Sequence, residues 1–315
     1  LLGLSFVTFS IATYVAVGKT VGFGELHDTA TSVGEASEWC ECVHSGLLRE
    51  PINAISNIGF VVAGLVVLLI LARDAPAVDG PVAWRGGQFI GNTAIALLYG
   101  YTVLFLGLAS AAMHGTNTYW GSWLDALSMV TLIWIPVCYN LALTGRWRTG
   151  TAVAVYVSIV SVSAAVSWFY GPKLGIGVHL FDVPVGLWCI TELLYRFPIV
   201  WLRSLSGLLG LGVVALRGLR PSNVVAGPVQ HWWLLLFWVP AIVTNGRPSY
   251  HRAYRPWAVL GLFSFGVAFA VWQTGRAHHP WCHPDSVYQA HGIWHLLCAL
   301  AAYFFFQFFR TERPR

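Results

Sequence analysis

The sequence predicts an all-α, polytopic transmembrane helix bundle, and three observations carry that expectation. Hydrophobic residues make up 57% of the 315 positions and charged residues only 10%, too little polar surface to clothe a water-soluble globule. Nearly uncharged stretches of the roughly 20 residues that a helix needs to cross hydrocarbon recur along the chain. Many of the 16 tryptophans stand beside the ends of those stretches, as the side chains of an interfacial belt do.

In order, the stretches are Leu1 to Gly18, Ile52 to Leu71, Phe89 to Met113, Trp123 to Leu143, Thr151 to Tyr170, Leu174 to Leu194, Trp232 to Thr244, Trp257 to Val271 and Val287 to Phe309. The first reads as an extra N-terminal helix, a signal-anchor remnant running from inside to outside. Trp232 to Thr244 and Trp257 to Val271 reach spanning length only if flanking polar residues lie at the interfaces. Leu205 to Leu216 would rise about 20 Å as a helix, against a hydrocarbon core of about 30 Å. It is either a short span with snorkelling arginines, which makes ten spans, or half of a re-entrant helical pair inserted at about 199–250. All of this belongs to a single membrane domain, 1–315, without repeats or a soluble domain.

Charge placement orients the bundle. Arg73 and Arg85, Arg146 and Arg148, Arg196 and Arg203, Arg247, Arg252 and Arg255, and finally Arg310, Arg313 and Arg315 fall in alternate loops and the tail. The positive-inside rule makes those loops and the C-terminus cytoplasmic. Glu25, Asp28, Glu35, Glu38, Glu41 and Glu50 make the segment before Pro51 acidic and place it on the other side. The basic residues therefore orient the chain in a bilayer and say nothing for nucleic acid.

Chemistry concentrates in two runs with helical spacing inside apolar segments: Ser110-Ala-Ala-Met-His114, followed by Asp125, and His291-Gly-Ile-Trp-His295. Residues four apart share one helix face, and ionisable groups within a membrane helix are functional candidates by default. Three neutral imidazoles with a nearby carboxylate and hydroxyl are the parts of a catalytic zinc site with one open position. An odd number of spans between Leu143 and Val287 brings both runs to the same leaflet, opposite the cytoplasmic tail.

Other polar groups read more plainly. Cys138, Cys189 and Cys298 lie in apolar segments and pack as small hydrophobes. Cys40 and Cys282 both fall in outside loops, where oxidation is permitted, and form the expected disulfide, with Cys42 as the competing partner. His179 and Asp182, one helical turn apart, read as interhelical polar contacts. His278, His279 and His283 surround Pro280 in a surface loop near the mouth of the site.

Five motifs then carry a family resemblance. Glu38-Trp39-Cys40-Glu41, Glu50-Pro-Ile-Asn53-Ala-Ile-Ser56-Asn57, Gly107-Leu-Ala-Ser110-Ala-Ala-Met-His114, Leu124-Asp125-Ala-Leu127-Ser-Met129 and His291-Gly-Ile-Trp294-His295 occur in order. In order and spacing the chain resembles the alkaline ceramidases, seven-helix intramembrane zinc amidases related to the adiponectin and progestin receptors. The likeness covers 38–143 and 282–310.

The resemblance implies a Zn2+ held by His114, His291 and His295, Asp125 as the proton acceptor and donor, and Ser110 as the hydrogen-bond donor to the developing oxyanion. The implied reaction is hydrolysis of a ceramide-like membrane lipid to a sphingoid base and a fatty acid. It also implies a Ca2+ held by Glu38, Glu41, Glu50 and the Trp39 carbonyl, oxygen ligands that suit a hard cation. Three departures stand against that pattern. Val43 occupies the place of an expected Asn ligand, Ala126 and Ser128 replace an acidic residue and a proline, and roughly forty extra residues lie between Leu143 and Cys282 where the inserted pair was read. Two alternatives of other classes remain open: a receptor-like relative with structural zinc, and a structural subunit that works with other membrane subunits.

Overall fold

The computed structural model describes residues 1–26, 32–74, 87–171, 180–244 and 246–315. Asp28, Arg85, His179 and the first part of the expected span Leu174 to Leu194 lie outside the described residues. The described chain is helical: α1 Leu2–Thr20, α2 Pro51–Ser56, α3 Ile58–Arg73, α4 Ala94–Thr116, α5 Tyr119–Gly145, α6 Thr149–Tyr170, α7 Asp182–Arg196, α8 Val200–Leu205, α9 Gly207–Leu216 and α10 Pro221–Ala226. A 3-10 helix, Pro228–Trp238, then leads into α11 Val239–Val243, α12 Trp257–Thr274 and α13 Ala290–Arg310. A two-residue ribbon, β1 Tyr250–His251 against β2 Arg313–Pro314, is antiparallel.

Among the described residues, seven helical stretches are long and apolar enough to cross a membrane: α1, Pro51–Arg73 (α2 with α3), α4, α5, α6, α12 and α13. The chain is a multi-pass integral membrane protein. Between α7 and α12 lie two shorter apolar helical stretches, Val200–Leu216 and Pro228–Val243. Leu205 to Leu216 lies on the first of these, where α8 passes into α9 at Ser206 with helical backbone angles, φ −59° and ψ −32°. Trp232 to Thr244 begins in a 3-10 helix and ends in the five-residue α11. Pro228 and Pro240 lack the N–H that a continuous α-helix would use there.

The chain divides into two compact units. The first comprises Leu1–Ala77, Phe89–Ser128 and Arg252–Thr311. Small residues let its helices approach closely, as membrane packing favours. A Cβ on Gly64 would meet Leu104, one on Gly100 would meet Leu68, and one on Gly107 would meet Phe60 and the Asn57 carbonyl. Gly59 plays the same part against Leu296 and Ala299 of α13, and Gly261 of α12 lies against Phe305. Ser264 of α12 adds a hydrogen bond to the Leu297 carbonyl at 2.8 Å. Where α3 and α13 end, Arg310 grips Asp74 through both guanidinium nitrogens, at 2.6 and 3.0 Å.

Helix boundaries in this unit follow from local chemistry. Thr93 caps α4 by accepting from the Ala96 N–H at 3.2 Å, the usual service of an N-cap hydroxyl. Asn117 ends α4 in the left-handed conformation, φ 45°, with its N–H on the Met113 carbonyl, a position that Asn tolerates better than most side chains. Pro51 opens α2 at a position where a missing N–H costs nothing. The exposed donors of Ile52 and Asn53 are taken by the distant Glu41 carboxylate at 2.6 and 2.7 Å.

The second unit comprises Val78–Gln88, Met129–His251 and Glu312–Arg315. Its core gathers Val137 and Leu141 of α5, Val183, Leu187, Ile190 and Leu194 of α7, Val214 of α9, and Trp233 and Phe237 of the 3-10 helix. Asp182, expected as a polar contact between helices, pairs with Arg217 at 2.7 Å. Buried Glu312 accepts from Tyr139 and Tyr195 at 2.5 and 2.8 Å, which ties the C-terminal residues to this unit.

Candidate functional site

The site lies wholly within the first unit, where one end of α4 meets the start of α13 and the short helix α2. His114 stands in the last turn of α4, and His291 and His295 occupy the first turns of α13. Helical spacing turns the latter two toward one neighbourhood, with ring centroids 4.5 Å apart. Their rings lie 4.9 and 5.0 Å from that of His114. All three are buried, and one ligand atom from each falls within 4.8 Å of the others. The Nε2 atoms of His114 and His291 are 3.2 Å apart. Two such lone pairs face each other comfortably only across a shared proton or a cation.

The far sides of the rings are also engaged. His114 Nδ1 donates to Glu50 Oε2 at 2.7 Å, which leaves Nε2 of the neutral ring as the free acceptor. Glu50 is 1% exposed and also accepts from Asn53 Nδ2 at 3.0 Å. Burial pushes the Glu50 carboxyl up, but its charge pairing and hydrogen bond with His114, with help from Asn53, reverse that and hold it below the ordinary carboxylate range. His295 Nδ1 lies 2.8 Å from Ser56 Oγ. His291 Nδ1 is buried without a hydrogen-bond partner, and its ring is instead covered by Trp39, stacked at 4.4 Å and 20°.

Asp125 and Ser110 complete the surroundings. Ser110, one turn before His114 on α4, donates its hydroxyl hydrogen to the Asp125 carboxylate, which also feels the His114 ring electrostatically. Asp125 comes from the second turn of α5. Donor chemistry fits a zinc ion: three imidazole nitrogens converge, two of them with the opposite nitrogen held by an oxygen, as ligating histidines commonly are.

The other expected positions separate into those brought together and those not. The sulfurs of Cys40 and Cys282 are bonded at 2.15 Å, and Cys42 is a free thiol whose N–H donates to the Pro284 carbonyl. His278 and His283 are exposed in their loop. Among the described residues, His114, His291 and His295 are the one group of His, Cys, Asp or Glu placed to hold an ion, and Glu38, Glu41 and Glu50 form none. The Glu41 carboxylate caps α2, and that of Glu50 accepts from His114. Burial pushes the Glu41 carboxyl up, against the two backbone N–H bonds that lower it.

Sequence reasoning missed the contacts of Glu50, Ser56 and the Trp39 ring with the histidines. A legible signal existed, since Glu50, Asn53, Ser56 and Asn57 recur at three- and four-residue spacing beside an apolar helix.

A family model described as ceramidase matches residues 32–313. The chain belongs to the ceramidase family. Membership implies a hydrolase acting on ceramide. The ceramidase match begins after α1, so that helix lies outside the matched range. A search of curated proteins finds no match.

Proposed function

We propose that this ceramidase is a zinc-dependent amide hydrolase that works within the membrane and cleaves ceramide-like lipids to a sphingoid base and a fatty acid. The observation that carries the reading is the convergence of three buried imidazoles, contributed by two separate helices, beside a carboxylate and a hydroxyl. A bound Zn2+ would supply Lewis acidity and a water whose pKa falls to about 7.

The chain's own residues do the rest. His114, His291 and His295 hold the ion. Asp125 takes the proton of the attacking water and returns it to the leaving amine, the work of a positioned general base and acid. Ser110 holds the Asp125 carboxylate in the resting arrangement and turns its hydroxyl to the amide oxygen as negative charge develops there. Trp39 closes one side of the site by lying flat on His291. The lipid amide reaches the site from the bilayer, between apolar helix faces. By the distribution of arginines, the C-terminus is cytoplasmic and the site lies near the opposite leaflet.

The test is turnover. Purified protein in lipid nanodiscs is expected to release fatty acid from an N-acyl sphingoid base, to lose that activity on chelation and to regain it with zinc. Zinc-loaded, folded protein that releases no fatty acid across acyl lengths would defeat the proposal.

A further inference from the structure

Two of the three imidazoles are held through their second nitrogen, and both holders belong to one element, α2 with its N-cap Glu50. Resting on the zinc reading above, we infer that Ser56 is a positioning residue that fixes the tautomer of His295 and leaves its Nε2 as the lone pair for the ion.

The argument is a count of protons. Ser56 has one hydroxyl hydrogen, and it is donated to the Asn53 carbonyl at 2.7 Å. What Ser56 presents to His295 Nδ1, 2.8 Å away, is therefore a lone pair. An accepting oxygen at that distance calls for a hydrogen on Nδ1, and a neutral imidazole with hydrogen on Nδ1 has none on Nε2. Asn57 Nδ2 carries two hydrogens and gives one to the Asn53 carbonyl at 2.9 Å; it lies 3.3 Å from Nδ1, a longer and weaker contact than that of Ser56. The shorter Ser56 contact therefore sets the tautomer.

Close helix packing makes the contact possible. The chain following His291 is glycine, and a Cβ on Gly292 would lie 3.4 Å from Ser56 Cβ and Oγ. The C-terminal end of α2 is thus pressed against the turn of α13 that carries both histidines. The residue that sets His295 is also next to Asn57, where α2 gives way to α3. One short helix sets two ligands from two other helices: Glu50 at its start fixes His114, and Ser56 at its end fixes His295.

A zinc competition titration against a chromophoric chelator tests this with the full chain in nanodiscs. The variants are Ser56→Ala, Ser56→Thr and, as a control, Ser10→Ala, whose hydroxyl serves only the Phe6 carbonyl on an exposed face of α1. Ser56→Ala is expected to weaken zinc binding about 10- to 100-fold, as loss of an outer partner of a ligating histidine does. Ser56→Thr keeps the hydroxyl and is expected to restore affinity, and Ser10→Ala to leave it unchanged. Unfolding of zinc-free protein is expected to be the same in all four, with only the zinc-dependent rise in midpoint reduced in Ser56→Ala.

Wild-type affinity in Ser56→Ala would overturn the inference, and so would an equal loss of stability with and without zinc, which marks a purely structural role. If Ser56→Ala does not fold, Ser56→Cys, whose thiol accepts weakly, carries the same comparison. Failure of the wild-type protein to bind zinc at all is a different result, and it strikes the proposed function itself.

Discussion

Replacing Asp125 with asparagine separates proton transfer from everything else the site does. The two side chains have the same size, and the asparagine carbonyl can still accept the Ser110 hydrogen bond that the carboxylate accepts now. Asp125 also stands outside the three-histidine ligand group, so the ion should stay. What disappears is the base. A positioned general acid–base contributes about 10²- to 10⁴-fold to rate, which at about 1.4 kcal/mol per decade is about 3–5 kcal/mol of transition-state stabilisation. Asp125→Asn is therefore expected to lower kcat by that factor with zinc content unchanged. The assay pairs fatty-acid release with elemental analysis of the same preparation. The reasoning is refuted if the variant turns over within about tenfold of wild type, below the floor for general catalysis, or if it loses the metal.

Three further perturbations probe the scaffold. Gly107→Ala places a Cβ 2.9 Å from Phe60 Cβ and 3.0 Å from the Asn57 carbonyl, and overpacking of that kind costs about 1–3 kcal/mol; thermal unfolding in nanodiscs should show the loss, and an unchanged midpoint would contradict the packing. Arg310, hydrogen-bonded to Asp74, holds that carboxyl below its usual range, so its contribution is present above the unfolded pKa of about 4 and fades as pH falls through the lower folded value; the stability gap between wild type and Asp74→Asn should be open at pH 7 and close in acid. The Cys40–Cys282 bond spans 242 residues, and paired replacement by serine is expected to cost about 2–5 kcal/mol and to loosen the segment carrying Trp39; equal chemical stability of the pair variant and wild type would remove that role.

What the sequence disclosed was periodic. His114 with Ser110, and His291 with His295, each repeat at four residues inside apolar runs, so one face and one neighbourhood could be read before any fold was known. Sequence spacing is silent where contacts join distant elements. Glu50 meets His114 across 64 positions and Ser56 meets His295 across 239. As residue types, three nearby glutamates suggest a hard-cation site; spacing alone does not show that Glu41 caps α2 and that Glu50 holds an imidazole. Trp39 was read through its carbonyl, whereas the feature that reaches the site is its ring. The inserted segment was legible only in part: Leu205 to Leu216 and Trp232 to Thr244 are apolar enough for membranes, and the helical stretches that hold them, Val200–Leu216 and Pro228–Val243, are shorter than the seven long ones, a difference that hydropathy does not report.

The most direct measurement is X-ray absorption at the zinc edge of purified, metal-quantified protein. Convergence of His114, His291 and His295 on one ion gives about one zinc per chain, with three imidazole nitrogens and one further oxygen at about 2.0–2.1 Å, and the signal falls when His291 is replaced by alanine. Well-folded protein without zinc, or zinc in a shell of thiolate sulfur, would contradict it.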